Sequence, residues 1–214
     1  MLWSIMIAGI PERFHSAQPL LHSLLEAQSV ARMPDVELLY LLDNRRRPVG
    51  EKRNDMLAMA HGEYVSFIDD DDAVATDYVQ KIYRQIVATR KSDEPADVIC
   101  FPQRATIQPA GVIHECTYSI AHWKDREPDK RRVLAQIPGE NGKPLPNTLA
   151  WSGPPAHTMV WRRDCIQDAR FPSKNFGEDV DFVDQACENA VNEIVMMGEP
   201  LYFYNFNEEG TATR

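Results

Sequence analysis

One stretch of the chain decides the fold: Gly50-Glu-Lys-Arg-Asn-Asp-Met-Leu-Ala-Met-Ala-His-Gly-Glu-Tyr-Val-Ser-Phe-Ile-Asp-Asp-Asp-Asp72. Its first part, Gly50–Ala60, predicts a helix, and Gly62 is placed where such a helix ends. The apolar run Tyr64–Ile68 predicts a strand, and four aspartates follow it directly. The stretch therefore predicts a helix, a turn and a strand whose end carries a cluster of carboxylates.

Strands and helices alternate on both sides of this stretch. Ser4–Ile10 predicts the opening strand, and leucines at helical spacing from Leu20 predict a helix. Val36–Leu42 is almost continuously apolar and predicts a central strand buried on both faces. Tyr78–Thr89 predicts another helix. This alternation is typical of βαβ units and a mostly parallel sheet.

The pattern becomes looser after about residue 100. A last helix is predicted from about Glu178 to Asn192. Pro138–Pro155 is rich in proline and glycine and predicts an irregular loop. The remaining apolar runs predict short strands at Val98–Phe101, Val112–Tyr118, Thr158–Trp161, Ile194–Met197 and Leu201–Phe206.

Composition limits the classes of function. A chain of 214 residues with 43% hydrophobic residues can bury one sizeable core. The net charge of −9 argues against broad binding to nucleic acid or anionic lipid. We find no apolar run long enough to span a bilayer and no secretory signal pattern, so a soluble cytoplasmic protein is expected. Four scattered cysteines predict reduced, buried thiols.

Two predicted strands end in carboxylates, Asp43 and the cluster Asp69–Asp72. Ligands of open α/β sheets bind beyond the carboxyl ends of the strands, so both ends indicate one crevice. Adjacent carboxylates repel each other unless a cation or a network of donors compensates them. Mg²⁺ or Mn²⁺ takes one or two carboxylates while substrate phosphates complete its shell. The pattern therefore favours a metal site shared with a nucleoside diphosphate.

Helix capping is the structural alternative for these aspartates. Side-chain oxygens accept from free N–H groups at a helix start, and anions are stabilised there by the helix dipole. Capping accounts for one member of the cluster, for which Asp72 is best placed, and it does not require four. The cluster as a whole therefore indicates metal or phosphate binding.

The quoted stretch resembles the nucleotide-binding signature of glycosyltransferase family 2. Arg53-Asn54 matches the pair that opens a helix, Ala60-His61-Gly62-Glu63-Tyr64 the turn into a strand, and Asp69-Asp70-Asp71 the Asp-x-Asp motif. The motifs follow the family's order and spacing, and the strands Trp3–Ile10 and the one ending at Asp43 are also similar.

This resemblance implies an α/β protein with the GT-A fold. In such a fold a single Rossmann-like domain, here residues 1–214, has a central, mostly parallel mixed sheet flanked by helices. The half formed by residues 1–100 would bind the nucleotide sugar, and the half formed by residues 101–214 would bind the acceptor.

The resemblance also implies roles for the carboxylates in the first half. Asp43 would hold the nucleobase, Asp69 or Asp70 the ribose, and Asp71 the metal, Mn²⁺ or Mg²⁺, that bridges the diphosphate. Arg53-Asn54 would belong to the same binding site. UDP-sugars are the commonest donors in the family.

A second motif, Phe171-Pro-Ser-Lys-Asn-Phe-Gly-Glu-Asp-Val-Asp-Phe182, resembles the family signature in which a Glu-Asp pair opens a helix. The family's base is the Asp of this pair, which implies Asp179, with Glu178 beside it in the catalytic site. A sugar hydroxyl is a poor nucleophile until a positioned carboxylate takes its proton. The implied reaction is a metal-dependent, hexosyltransferase-like single displacement that inverts the anomeric carbon.

The chain departs from the family pattern near its last strand. Many family members place a histidine there as a metal ligand, whereas Tyr202-Phe-Tyr-Asn-Phe-Asn207 contains none. His157 could substitute as the metal ligand, as could a carbonyl oxygen or water. A lone histidine at a strand edge is more often structural.

Two other functions remain open from the sequence. Asp70-Asp-Asp-Ala-Val74 also fits the motif of haloacid dehalogenase-like phosphatases, although that motif normally ends the first strand. A non-catalytic nucleotide-sugar-binding protein would keep Asp43 and Asp71 without needing a base. The acceptor is expected to be a glycan hydroxyl. A modified nucleic-acid base is the alternative, supported by the basic clusters Arg45–Arg47 and Lys130–Arg132.

Overall fold

The computed structural model describes residues 1–124, 133–139 and 142–207, so Lys130–Arg132 lies outside the described residues. These residues form twelve strands and five α-helices. In chain order they are β1 (Trp3–Gly9), α1 (Phe14–Ala31), β2 (Val36–Leu42), α2 (Val49–Met59), β3 (Tyr64–Asp69), β4 (Ala73–Val74), α3 (Tyr78–Thr89), β5 (Val98–Cys100), β6 (Gln103–Gln108), β7 (Val112–Tyr118), α4 (Ile120–Lys124), β8 (Val133–Pro138), β9 (Pro144–Gly153), β10 (Val160–Arg162), α5 (Glu178–Asn189), β11 (Glu193–Val195) and β12 (Tyr202–Asn207).

The first sheet has the strand order β11-β5-β10-β3-β1-β2 within the described residues. β1 pairs in parallel with β2 and with β3, and Trp3 lies opposite both Val36 and Tyr64. β11 is parallel to β5, whereas β10 runs antiparallel to its two neighbours. The expected α/β class with a mixed, mostly parallel sheet is therefore confirmed.

The carboxyl ends of the parallel strands position the candidate site. Asp69 of β3 lies opposite Ala8 of β1, and Gly9 lies opposite Leu42 of β2. Asp43 follows Leu42 directly. The structure thus brings Asp43 and the aspartate cluster to the same edge of the sheet, as the sequence predicted.

Strand β2 is not central, and this prediction was wrong. It lies at the edge of the first sheet, where Val36 is buried but Leu42 is exposed. Its middle residues, Leu38 to Leu41, are only partly buried while they pack against the core. The continuous apolar run of β2 therefore indicates that both faces of the strand are partly covered. It does not require a neighbouring strand on each side.

A second sheet has the order β4-β12-β6-β7-β9-β8 within the described residues. Strand β9 lies inside the segment predicted to be an irregular loop, so that prediction was wrong for Pro144–Gly153. The prolines lie in the exposed beginning of β9, and pairing with β7 starts only at Thr148, opposite Ile113. Strand pairing further along the chain thus overrides the local composition.

The hydrophobic core contains residues from both halves of the chain. Trp3 of β1 is fully buried, packs 5.8 Å from the ring of Tyr78, and donates a hydrogen bond to Ser66 Oγ at 3.1 Å. Phe182 of α5 is also fully buried and stacks on Phe171 with ring centroids 4.1 Å apart. This stacking fixes the start of α5, which carries Glu178-Asp179, against the first sheet.

The cysteines are buried and free of disulfides, as the sequence predicted. Burial raises the pKa of the Cys116 thiol to about 11, which keeps it protonated and unreactive. No helix within residues 1–124, 133–139 and 142–207 has both the length and the apolar character needed to cross a membrane.

Candidate active site

Asp43 is held by a buried lysine at the end of β2. Lys52 Nζ lies 2.7 Å from Asp43 Oδ1 and also donates to the carbonyl oxygen of Gly9 at 2.7 Å. The Arg45 N–H donates to Asp43 Oδ1 at 3.2 Å, and Arg47 Nε donates to Oδ2 at 3.3 Å. Burial pushes the pKa of Asp43 upward, but these donors outweigh burial and hold the pKa below its ordinary value. Asp43 is therefore an ionised, oriented carboxylate.

Asp69 is contacted from both sides. Arg53 Nη2 lies 2.6 Å from Oδ1, and His157 Nε2 lies 3.5 Å from Oδ2. The Asp69 backbone N–H donates to the Tyr202 hydroxyl oxygen at 3.1 Å. Burial acts to raise the pKa of Asp69, yet Arg53 and His157 together hold it well below its ordinary value. The carboxylate stays charged at the end of β3.

Arg13 joins Asp70 and Asp71. Its Nη1 lies 3.0 Å from Asp70 Oδ1 and 2.7 Å from Asp71 Oδ2, and the Ile10 N–H donates to Asp70 Oδ2 at 3.2 Å. The Asp70 side chain is almost fully buried, whereas that of Asp71 is 37% exposed. Burial raises the pKa of Asp71, Arg13 opposes the rise, and the charges of Asp69 and Asp70 add to it.

Asp72 does not cap α3, so the capping interpretation was wrong for this residue. Its Oδ2 accepts from the Tyr202 hydroxyl at 2.6 Å, and its Oδ1 accepts from the Asn205 N–H at 3.0 Å. The residue before α3 is Asp77, five positions later. Burial and the charge of Asp69 raise the pKa of Asp72 to about 8. Asp72 therefore holds β12 against the end of β3.

Glu178 and Asp179 occupy different environments although they are adjacent. Glu178 is buried, and its Oε1 lies 2.5 Å from Arg53 Nη1. The Asp179 side chain is 41% exposed, and its Oδ2 lies 3.7 Å from His157 Nδ1. The structure thus places Asp179 where it can meet a ligand from solvent, while Glu178 faces the interior.

Several contacts with α2 hold the segment that leads into α5. The Asn54 side-chain amide donates to the Phe171 carbonyl oxygen at 2.8 Å and accepts from the Phe171 N–H at 3.0 Å. The Val49 N–H donates to Asn175 Oδ1 at 3.0 Å. A Cβ at Gly50 would lie 2.0 Å from the Pro172 carbonyl oxygen, so this close approach requires glycine. Asn54, assigned to nucleotide binding from the sequence, uses its amide to hold this segment.

The donor atoms present fit a hard divalent ion that shares its shell with phosphates. Within the described parts of the chain, no group of three or more His, Cys, Asp or Glu side chains is arranged to hold a metal by itself. Asp71 offers a partly exposed carboxylate next to the ionised Asp69. Mg²⁺ and Mn²⁺ sites built from one or two carboxylates and substrate phosphates need no more protein ligands than this.

Three residues of the site were not singled out from the sequence: Arg13, Lys52 and Tyr202. Lys52 lies next to Arg53 in the quoted stretch and is buried on α2. A lysine on the inward-facing side of the predicted helix could have identified it as a site residue. Arg13 ends the short 3₁₀ turn Pro11–Arg13 that follows β1. Tyr202 lies 130 residues from Asp72, and no local pattern connects the two.

The family model described as glycosyl transferase family 2 matches residues 23–106. This range includes Asp43, the Arg53-Asn54 pair and the whole aspartate cluster, and it ends before Glu178-Asp179. The resemblance identified from the sequence is therefore confirmed for the first motif. None of the curated proteins matches the chain significantly.

Solved structures of S. aureus TarS resemble this chain over almost its whole length. One TarS structure is 17% identical with a TM-score of 0.58, covering 96% of this chain and 37% of that one. The TarS 1-349 complex with UDP-GlcNAc is 19% identical with a TM-score of 0.60, covering 97% of this chain and 59% of that one. The UDP complex of TarS 1-349 is 18% identical with a TM-score of 0.60, covering 98% and 62%.

The chain thus spans less than two thirds of the length of each of these TarS structures. At these identities the likeness shows the fold, and it confirms the GT-A fold expected from the sequence.

Proposed function

We propose that this protein is an inverting, metal-dependent glycosyltransferase that moves a sugar from a UDP-sugar to a hydroxyl of a glycan. The observation that carries the proposal is the meeting of two groups of carboxylates. Asp43 follows β2 and Asp69 ends β3, the two strands that flank β1. The partly exposed Asp179 lies on the other side, 3.7 Å from the histidine that also faces Asp69.

The donor would bind along the carboxyl edge of the first sheet. Asp43 is ionised and oriented by Lys52, which suits it to accept hydrogen bonds from a nucleobase N–H. Asp69 or Asp70 would accept from the ribose hydroxyls. In support, solved TarS structures of the same fold contain UDP or UDP-GlcNAc. Residues 1–100 would then form the donor half, and residues 101–214 the acceptor half, of one domain.

Asp71 is the residue proposed to hold Mn²⁺ or Mg²⁺. A bound divalent ion supplies charge neutralisation of the departing diphosphate. The carboxylate of Asp71 is more exposed than that of Asp70, and burial and neighbouring charges raise the pKa of Asp71. A cation relieves this repulsion, which is a physical reason for the side chain to bind one.

Asp179 is the proposed base. Its carboxylate takes the proton of the acceptor hydroxyl while that oxygen forms a bond to the anomeric carbon. The bond from the anomeric carbon to the diphosphate oxygen breaks in the same step, and both electrons leave with UDP. A single displacement of this kind inverts the anomeric centre, and one carboxylate is sufficient for it.

A glycan acceptor is favoured over a nucleic acid by charge. The net charge of −9 opposes phosphate backbones, and two arginines of the basic cluster Arg45–Arg47 lie beside carboxylates. Arg47 contacts Asp43 and Asp55, and Arg45 Nε lies 3.7 Å from Glu12.

Transfer activity tests this proposal. Purified protein incubated with a panel of nucleotide sugars, glycan acceptors and Mn²⁺ is expected to release UDP, and a chelator should stop the release. Asp71→Ala should abolish turnover. Asp179→Asn should keep the UDP affinity measured by calorimetry but lower turnover by about 10²- to 10⁴-fold, the usual contribution of a general base.

The exposed Asp168 provides a matched control, since Asp168→Asn removes an equal charge outside the aspartate cluster and should leave turnover unchanged. A wild-type protein that binds UDP tightly but transfers no sugar from any donor would be a non-catalytic binder, contrary to the proposal.

A further inference from the structure

Five residues form a closed ring between the two proposed ligand sites, through four side-chain contacts and one peptide bond. Arg53 contacts Asp69 at 2.6 Å and Glu178 at 2.5 Å. Glu178 is bonded through the backbone to Asp179, whose carboxylate lies 3.7 Å from His157 Nδ1. His157 Nε2 lies 3.5 Å from the second oxygen of Asp69, which closes the ring. Resting on the proposed function, we infer that Arg53, Glu178 and His157 are positioning residues that fix the base Asp179 relative to the donor carboxylate Asp69.

The burial of Arg53 supports a positioning role over direct contact with the donor. Arg53 is 5% exposed, and each of its terminal nitrogens already faces a carboxylate. Its guanidinium carbon lies 5.9 Å from the ring centre of Phe67 and 5.4 Å from that of Phe171. A guanidinium held in this way is a rigid fork that joins two carboxylates, a geometry that the single ammonium of a lysine cannot reproduce.

His157 is fixed in the same manner. It is buried, and its ring lies 6.3 Å from Phe67 and 6.4 Å from Phe171, measured between ring centres. The next residue, Thr158, accepts a hydrogen bond from the Gln103 side chain at 2.7 Å. The imidazole therefore has little freedom to turn, and each of its nitrogens faces the carboxylate of a different half of the site.

The ring connects α2 and β3 with α5. It therefore sets the distance between the donor carboxylate Asp69 and the proposed base Asp179. Misplacing a reacting group by about 1 Å can cost about 10²-fold in rate without removing any group that touches the substrate. Disturbing the ring at Glu178, which leaves Asp69 in contact with Arg53 and His157, should therefore lower turnover while Asp43, Asp69 and Asp71 still bind the donor.

Glu178→Gln tests this inference because it removes the charge and keeps the shape. We expect turnover to fall at least about tenfold, with the UDP dissociation constant changed by less than about threefold. Arg53→Lys should have a similar effect, and the double variant should be no worse than either single variant, because the residues act as one unit. Additive losses in the double variant, or wild-type turnover in Glu178→Gln, would overturn the inference.

Asp97→Asn is the control for general destabilisation. Asp97 is buried and its Oδ1 lies 2.7 Å from Arg162 Nη2, so this variant breaks a comparable ion pair outside the ring. It should unfold at a lower temperature yet keep its turnover at a temperature where it is folded. A loss of turnover equal to that of Glu178→Gln would mean that the ring serves stability alone.

A second variant covers the case in which Glu178→Gln does not fold. Arg53→Met combined with Glu178→Met replaces both charges with apolar side chains of similar length, a change that buried pairs often tolerate. Asp69 loses its contact with Arg53 in this variant but keeps its contact with His157. It should fold, bind UDP and still lose turnover. If the wild-type protein itself transfers no sugar, the proposed function has failed, whereas an active wild type with an active double-methionine variant refutes only the inference.

Discussion

Replacing Lys52 with methionine should destabilise the protein and weaken donor binding together. The substitution keeps the side-chain length but removes contacts of 2.7 Å to Asp43 Oδ1 and 2.7 Å to the Gly9 carbonyl oxygen. Removing one partner of a fully buried ion pair costs about 3–5 kcal/mol. Asp43 retains some solvent and its contact with Arg47, so we expect about 2–3 kcal/mol.

For a protein of this size, each kcal/mol of lost unfolding free energy lowers the melting temperature by about 2–4 °C. Lys52→Met should therefore lower the melting temperature by about 4–12 °C. Calorimetry should also show UDP binding about tenfold weaker, since 1.4 kcal/mol of lost orientation at Asp43 gives that factor. Urea unfolding measures the loss of unfolding free energy, and calorimetry measures the melting temperature and the UDP affinity on the same preparation.

Lys81→Met is the matched control for this prediction. Lys81 forms an ion pair with Asp77 at 2.9 Å, but the two side chains are 41% and 51% exposed. Losing this pair should therefore cost only about 0.3–0.5 kcal/mol and leave UDP binding unchanged. Equal destabilisation by the two substitutions would refute the reasoning, because it would mean that the burial of Lys52 contributes nothing.

Two further predictions concern other buried polar contacts. Tyr202→Phe removes the hydroxyl that donates to Asp72 at 2.6 Å and should cost about 1–3 kcal/mol in urea unfolding; an unchanged midpoint would contradict the role given to Asp72. Burial alone would raise the pKa of Glu37, but hydrogen bonds from Ser4 and His61 outweigh it and lower the pKa. The stabilisation by Glu37 is therefore present above the ordinary glutamate pKa of about 4.3 and is lost as the pH falls through the lower folded-state value. Glu37→Gln should accordingly be less stable than the wild type at pH 7, and the difference in unfolding free energy should shrink as the pH falls below the ordinary glutamate pKa; a constant difference would contradict this account.

The sequence was most informative where local pattern and final environment agree. A helix was predicted from residues at helical spacing between Tyr78 and Thr89, and the structure has a helix over this range. A strand was predicted at Tyr64–Ile68 because an apolar run ends abruptly at charged residues, and the structure has it at Tyr64–Asp69. The carboxyl edge of a parallel sheet then follows from topology, which is why Asp43 and Asp69 could be assigned to one site.

Sequence reasoning was less successful where distant pairing decides the structure. Pro144–Gly153 has the composition of a loop, yet it forms a strand because β7 and β8 pair with it. The same limit applies within the site. The contact between Arg53 and Glu178 spans 125 residues, and no local pattern in either segment identifies the other as its partner.

The assignment of Asp71 as the metal-binding carboxylate beside a diphosphate is tested most directly by the binding of UDP with and without Mn²⁺. The account predicts that Mn²⁺ strengthens UDP binding at least about tenfold in the wild type. This factor corresponds to a coupling free energy of about 1.4 kcal/mol between the two ligands. It also predicts that Asp71→Asn loses this enhancement while it retains the weaker, metal-free binding. Equal UDP affinity with and without Mn²⁺ in the wild-type protein would contradict the account.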